Sequence, residues 1–144
     1  MREIVSAKSV NKSFRVNGEG ATHVLRDVSV SIESGEFVAV MGASGSGKST
    51  LLYSISGMDD PTSGEVYFQG ASIAGMKESQ RARLRLTEMG FVFQHIHLLK
   101  NLSLFDNVIL SGYLGGVRSK AEVNARAKEL LERTGIHELG DRMI

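Results

Sequence analysis

There is no cysteine in this chain of 144 residues, and its only proline is Pro61. The first absence excludes disulfides and thiolate metal sites, which fits a reducing compartment. An excess of charge of one sign is also missing: 17 basic side chains face 16 acidic ones, for a formal net charge of +1. No global field is therefore available to steer nucleic acid or an acidic surface. No apolar run approaches the roughly 18–20 residues of a membrane span. The opening "MREIVSAKSV" holds no apolar stretch of signal-peptide length. Any membrane role must come through a partner. What is present is ordinary for a globular domain with one core: 42% hydrophobic and 23% charged residues.

Patterning predicts alternating strands and helices. Ile4 to Val16 alternates loosely as a strand, and the glycines and asparagine of Val16 to Thr22 suit a hairpin loop. His23 to Ile32 sets Val28, Val30 and Ile32 against polar residues, as in a half-buried antiparallel strand. After a turn at Glu33 to Glu36, "FVAVM" (Phe37 to Met41) is apolar without alternation, which predicts a strand buried on both faces. Leu51, Leu52, Ile55 and Met58 share a helical face, and Gly57 with Pro61 just beyond ends that helix. A short hairpin (Gly64 to Ile73), a polar helix (Lys77 to Leu86) and another buried strand, "GFVFQ" (Gly90 to Gln94), follow. Ser103 reads as the N-cap of a helix from Leu104 to Leu114, stopped by Gly115 and Gly116. "SKAE" (Ser119 to Glu122) is a capping box. The helix it starts has Val123, Ala127, Leu130 and Leu131 on its apolar face, and Gly135 ends it. Glu122–Arg126 and Glu129–Arg133 are expected as i,i+4 pairs on that helix.

"GASGSGKST" (Gly42 to Thr50) carries the chemistry. Gly42, Gly47, Lys48 and Ser49 satisfy G-x-x-x-x-G-K-[ST] between a predicted strand and a predicted helix, the context the motif requires. A polyphosphate carries several negative charges. Successive backbone N–H groups in a tight loop, here Gly42, Ser44, Gly45, Ser46 and Gly47, make a concave donor site for them, and the helix N-terminus adds its positive end. Glycine at 42, 45 and 47 permits the positive φ and close approach this needs. Lys48 is expected on the β- and γ-phosphates, the Ser49 hydroxyl on Mg²⁺, and Thr50 on the α-phosphate. The bland alternative, a Gly/Ser-rich turn capping an ordinary helix, has no use for this spacing and the Lys-Ser pair together.

Longer stretches narrow the class. "VLRDVSVSIESGEFVAVMGASGSGKSTLL", "PTSGEVYFQG" (Pro61 to Gly70) and "MGFVFQHIHLLKNLSLFDNV" (Met89 to Val108) together resemble the ATP-binding domain of ABC transporters. The wording is most similar to the subgroup serving lipoprotein release, macrolide export and bacitracin-type resistance. The resemblance covers nearly the whole chain. It implies an α/β P-loop NTPase, with a RecA-like core, an N-terminal antiparallel β-subdomain and the start of a helical subdomain. Residues 1–94 would be the N-terminal part of the core, and residues 95–144 the start of the helical part that docks on an integral membrane permease. Gln94 would be the Q-loop glutamine, touching Mg²⁺ or the attacking water. Phe14 falls where the family usually has an aromatic, often tyrosine, stacked on adenine; phenylalanine departs from that habit but keeps the π face. Ala43 stands where many members have proline. The implied setting is ATP with Mg²⁺, a homodimer in the intact protein, no nucleic acid, and a peripheral place on the cytoplasmic face of the membrane.

The family's hydrolysis also uses an LSGGQ signature, an apolar strand ending in Asp-Glu, and a later switch histidine. "LSGY" (Leu110 to Tyr113) lacks the second glycine and the glutamine and lies in a predicted apolar helix, so it is rejected as a signature. No four-residue apolar run ends in Asp-Glu, and "GIHELGDRMI" (Gly135 to Ile144) stands just where the signature is expected to follow. The chain thus reads as the N-terminal part of a longer ATPase, able to bind nucleotide and turning it over negligibly alone. In the family fold the strands flanking Phe37 to Met41 come from that further part, so its edges are expected to be unpaired here. A non-transport ATPase of the same superfamily and a nucleotide-sensing module are the competing classes. The compact interval from Lys48 to Gln94 favours the transporter over the former. His95 and His97 alternate without nearby carboxylates, too few ligands for a metal site, and Arg81, Arg83 and Arg85 read as a solvated helix face.

Overall fold

A computed structural model of the protein describes residues 3–15, 20–95, 97–116 and 118–143. They fall into two compact units, Met1–Arg85 and Leu86–Ile144. The expected hairpin loop at Val16 to Thr22 lies largely outside the described residues; Ala21 and Thr22 already belong to the second strand.

The first unit is built on two long antiparallel strands, β1 (Glu3–Arg15) and β2 (Ala21–Glu33). They join β3 (Ser63–Phe68) and β4 (Ala71–Ser72) in one sheet of order β2-β1-β3-β4. Ala7 faces Val30 on one side and Val66 on the other, so the middle of β1 lies at the centre of the core. Val10 and Val66 are completely buried there, beside Ala7, Leu25, Phe68 and Ile73. Helix α1 (Lys48–Ile55) adds Ile55. It closes as the sequence predicts. Gly57, at φ +67°, takes the left-handed position, with Gly57 N–H on the Ser54 carbonyl (3.2 Å) and Met58 N–H on the Tyr53 carbonyl (3.0 Å). Of the expected apolar face, Leu52 and Met58 are instead exposed, because the helix stops at Ile55 and the core takes only its inner side.

The β1 strand is bulged. Its register shifts between Ala7 and Val10 and again around Lys12, and Ser9 sits at φ +49°. Gly64 of β3 presses against this bulge: a Cβ there would lie 2.4 Å from the Ser9 carbonyl oxygen. Only glycine lets β3 approach β1 that closely.

Helix α2 (Glu78–Glu88) corrects the expected solvated face of Arg81, Arg83 and Arg85. Arg81 bridges Asp60 and Glu78, while Arg85 binds Glu78 (2.7 Å) and the Gly57 carbonyl (2.6 Å). The Arg81 and Arg85 side chains are largely buried and tie α2 to the end of α1; Arg83 is exposed. Sequence charge counts miss this, because Asp60 and the Gly57 carbonyl lie beyond the helix itself.

In the second unit, α3 (Leu104–Gly115) and α4 (Lys120–Arg133) pack around Ile109, Val123 and Ala127, with Phe105 and Val108 against them. Both helices start from serine caps, as expected. Ser103 Oγ accepts from Asp106 N–H (3.0 Å), and Ser119 and Glu122 form the full capping box. Leu110 to Tyr113 lies inside α3, and a Cβ on Gly112 would meet Val123 Cγ1 at 2.7 Å, so that glycine serves helix packing. Asn107 clamps the approach to α3, accepting from Leu99 N–H (2.8 Å) and donating to the Ser103 carbonyl (2.9 Å). The end of α4 repeats the left-handed glycine closure at Gly135. Two details differ from expectation. Leu130 is exposed, the edge of a face that buries Val123, Ala127 and Leu131. Arg126 turns to Glu129 (2.6 Å) rather than Glu122, whose carboxylate is held by Ser119. The Glu129–Arg133 pair forms at 3.6 Å.

The Ser119 hydroxyl, followed by its backbone N–H, holds the Glu122 carboxyl below the ordinary glutamate value. A lowered folded-state pKa adds stability above the unfolded value of 4.5, and that stability is lost as pH falls through the folded value. Helicity of α4 is therefore expected to fall as the pH drops below the unfolded value of 4.5 and through the lowered folded one. Amide exchange in α4, compared with Glu122→Gln, checks this: the variant should lose that acid-dependent step, and an identical acid profile would refute the box as its source.

The apolar stretches Phe37 to Met41 and Gly90 to Gln94 correct the sequence reading most. Neither forms a strand among the described residues. Phe37 is 98% exposed and Met41 87%, and Val92 is fully exposed. Phe91 and Phe93 stack on each other at 5.9 Å. A strand buried on both faces needs neighbours, and no neighbouring strand is present for either stretch among the described residues.

Candidate functional site

The loop from Gly42 to Gly47 joins the extended Phe37–Met41 segment to α1. Gly42, Gly45 and Gly47 have φ of +154°, +79° and +91°. A Cβ on Gly42 would sit 2.8 Å from Ser46 Oγ, and one on Gly47 would meet the Val24 side chain and carbonyl at 3.1 Å. The loop thus folds tightly on itself and seats its last glycine against β2. Ser46 N–H closes a turn onto the Ala43 carbonyl (3.3 Å).

α1 starts differently from α3 and α4. Its N-cap is Gly47, in the left-handed conformation, with no side-chain hydrogen bond. The first N–H groups of a helix have no partner within it. At α1 those belong to Lys48, Ser49 and Thr50, and no side chain caps them. Lys48 folds back over the loop, its Nζ donating to the carbonyls of Gly42 (3.0 Å) and Ala43 (2.7 Å). An ammonium has three donors, so one remains for an anion. Val24, Gly45, Gly47, Lys48, Ser49 and Thr50 line an open recess of about 300 Å³. A larger one, about 450 Å³, lies on the sheet around Glu3, Lys8 and Tyr67. It lacks helix-terminal donors, so the smaller recess is the better candidate for phosphate.

Phe14 lies in the same unit, near the end of β1, directly opposite Thr22 and so two positions from Val24 at the recess. Phe14 is 43% exposed. The recess brings together Gly45, Gly47, Lys48, Ser49 and Thr50, and Gly42, Ser44 and Ser46 belong to the same loop; Phe14 lies in the same unit but is not among the residues lining the recess. Gln94 is an exposed residue of the second unit, and His97 meets Phe93 edge-on at 5.0 Å. Among the described residues no group of three or more His, Cys, Asp or Glu side chains could hold a metal ion, and no helix is long and apolar enough to cross a membrane. Sequence reasoning missed Val24, whose only signal is its place on the strand against which the loop closes.

A glycine loop that opens a helix on Lys-Ser-Thr has the form of a P-loop. The chain belongs to the ABC transporter family, whose profile matches residues 25–144. It is 44% identical over 140 residues to an uncharacterized ABC transporter ATP-binding protein of Methanocaldococcus jannaschii, covering 97% of this chain and 60% of that protein. It is 43% identical over 133 residues to the pyoverdine export ATP-binding/permease protein PvdT of Pseudomonas fluorescens, covering 92% of this chain and 20% of that one. Among solved structures, the dimeric cassette MJ0796 bound to ADP and Pi superposes with a TM-score of 0.89 at 34% identity, covering 97% of this chain and 61% of that chain. The cassette cbiO1 of Clostridium perfringens, part of the transporter complex cbiONQ, gives 0.73 at 29% identity, with 99% and 55% covered. The chain thus spans about three fifths of the first relative's length.

Proposed function

We propose that this chain is the nucleotide-binding part of an ABC transporter's energy-coupling subunit and that it binds ATP with Mg²⁺. The observation that carries this is the start of α1: a helix whose first donors no side chain caps, opening from a left-handed glycine under a folded-back lysine. Those groups suit a polyphosphate better than a neutral ligand. Backbone N–H groups of Ser44 to Thr50 would hold the phosphates and Lys48 the β- and γ-oxygens. Phe14 would stack on adenine, and Ser49 would ligate Mg²⁺. A bound Mg²⁺ would supply neutralisation of phosphate charge.

In the intact protein, residues 1–94 act as the N-terminal part of the ATP-binding core and residues 95–144 as the start of the permease-docking subdomain. The subunit dimerises, couples ATP hydrolysis to transport, and sits at the cytoplasmic face of the membrane through its permease. The resemblance in wording and the export relative support outward transport. Phosphoryl transfer depends on positioned charge and a positioned water. This chain has no apolar run ending in Asp-Glu and no LSGGQ. It is therefore expected to bind MgATP saturably in calorimetry, with negligible phosphate release. Absence of MgATP binding overturns the nucleotide reading, and steady hydrolysis by the chain alone overturns the division of labour.

A further inference from the structure

Lys12 is a basic residue buried in the first unit, only 9% exposed, and phosphate binding does not use it. Its ammonium lies 2.6 Å from Asp59 Oδ1 and 2.6 Å from the Asp60 carbonyl. It also lies 5.1 Å from the centroid of the Phe14 ring. Lys12 and Phe14 are two apart on β1 and meet side by side across the register shift there. The same stretch of β1 is strapped to the segment after α1 by two further bonds. Thr62 N–H donates to the Asn11 carbonyl (2.8 Å), and Ser13 N–H donates to Thr62 Oγ1 (3.0 Å).

We propose that Lys12 is the positioning residue for the base-stacking aromatic: pinned to Asp59 and Asp60, its ammonium holds the Phe14 ring and leaves one ring face for the base. The proposal rests on the nucleotide reading above. A phenylalanine on a strand near a hairpin end otherwise turns freely about χ1, and stacking would then have to freeze it. Here the freezing is done in advance by a cation held in place by a carboxylate and a carbonyl. A cation against a ring also draws on its π density, which favours stacking of an electron-rich base on the open face. Asp59 and Asp60 follow the C-terminal end of α1, whose N-terminal end carries the phosphate loop. One ammonium therefore relates the base platform to the helix that presents the phosphate donors.

The test compares Mg²⁺ complexes of ATP and of inorganic tripolyphosphate, which has no base, by calorimetry on wild type, Lys12→Met, Phe14→Leu and the double variant. The expected result is a roughly fivefold loss of ATP affinity in Lys12→Met, with tripolyphosphate affinity unchanged. In the Phe14→Leu background Lys12→Met should add nothing, because the interaction it serves is already gone. Equal losses for both ligands make Lys12 merely structural and overturn the proposal. So does an undiminished effect in the Phe14→Leu background, or no effect on ATP. A wild type that binds tripolyphosphate but gains nothing from the base overturns the base platform and the proposal with it, while the phosphate cradle stands. A wild type that binds neither ligand overturns the phosphate cradle and the proposal with it.

Discussion

Lys48→Ala is expected to weaken MgATP binding by about a hundredfold or more. Two losses combine. The ammonium's charge-assisted bonds to phosphate disappear, each worth roughly 1.5–3 kcal/mol. The loop also loses the strut from Nζ to the carbonyls of Gly42 and Ala43, so it must be ordered when the ligand arrives. Lys48→Arg should not restore binding. A planar guanidinium cannot aim donors at two carbonyls and a phosphate as a tetrahedral ammonium does. Because the strut is exposed, the urea midpoint should move little. Affinity unchanged in Lys48→Ala would mean that the phosphates lie elsewhere.

Gly64→Ala is expected to cost about 3 kcal/mol of folding stability, from strain at positive φ and from overpacking. Gly64 has φ +94°, and its added Cβ would meet three backbone atoms of the Ser9–Val10 peptide: Ser9 O at 2.4 Å, Ser9 C at 2.7 Å and Val10 Cα at 2.7 Å. Backbone cannot rotate away as a side-chain tip can, so β3 must lift from β1 beside the fully buried Val10 and Val66. A control separates strain from crowding. Gly70 also has a positive φ, +83°, but nothing lies within 4 Å of its Cβ position. Gly70→Ala should therefore cost only the conformational part, about 1 kcal/mol. Urea midpoints of the two variants decide the matter; equal shifts would show that the contact with Ser9 is not the cause.

Short-range chemistry made much of this fold legible in the sequence. Ser103, the Ser119–Glu122 box and the helix-ending Gly57 and Gly135 act on backbone groups within a few residues, so the sequence alone contains both partners. The loop from Gly42 to Thr50 was legible for the same reason. Interactions that join distant segments were not. Arg81 finds Asp60, Lys12 finds Asp59 and Asn107 finds Leu99, none of which a periodicity can announce. Phe37 to Met41 and Gly90 to Gln94 show the converse. Their apolar runs state a demand for burial, but burial is a property of partners, and Phe37 remains 98% exposed. Those stretches are the chain's main hazard for pairing with other chains.

The missing side-chain cap of α1 has a thermodynamic consequence. α3 and α4 carry their caps in the chain, so their first turns are equally stable with or without a ligand. On the nucleotide reading proposed above, α1 takes its cap from solution. Its first turn and the anion that completes it are linked equilibria, and each stabilises the other by the same amount. The melting temperature then becomes a function of nucleotide concentration, with roughly 2.7 kcal/mol added at a hundred times the dissociation constant. The helix is, in effect, a sensor of its own ligand, and the extra stability belongs first to Lys48, Ser49 and Thr50.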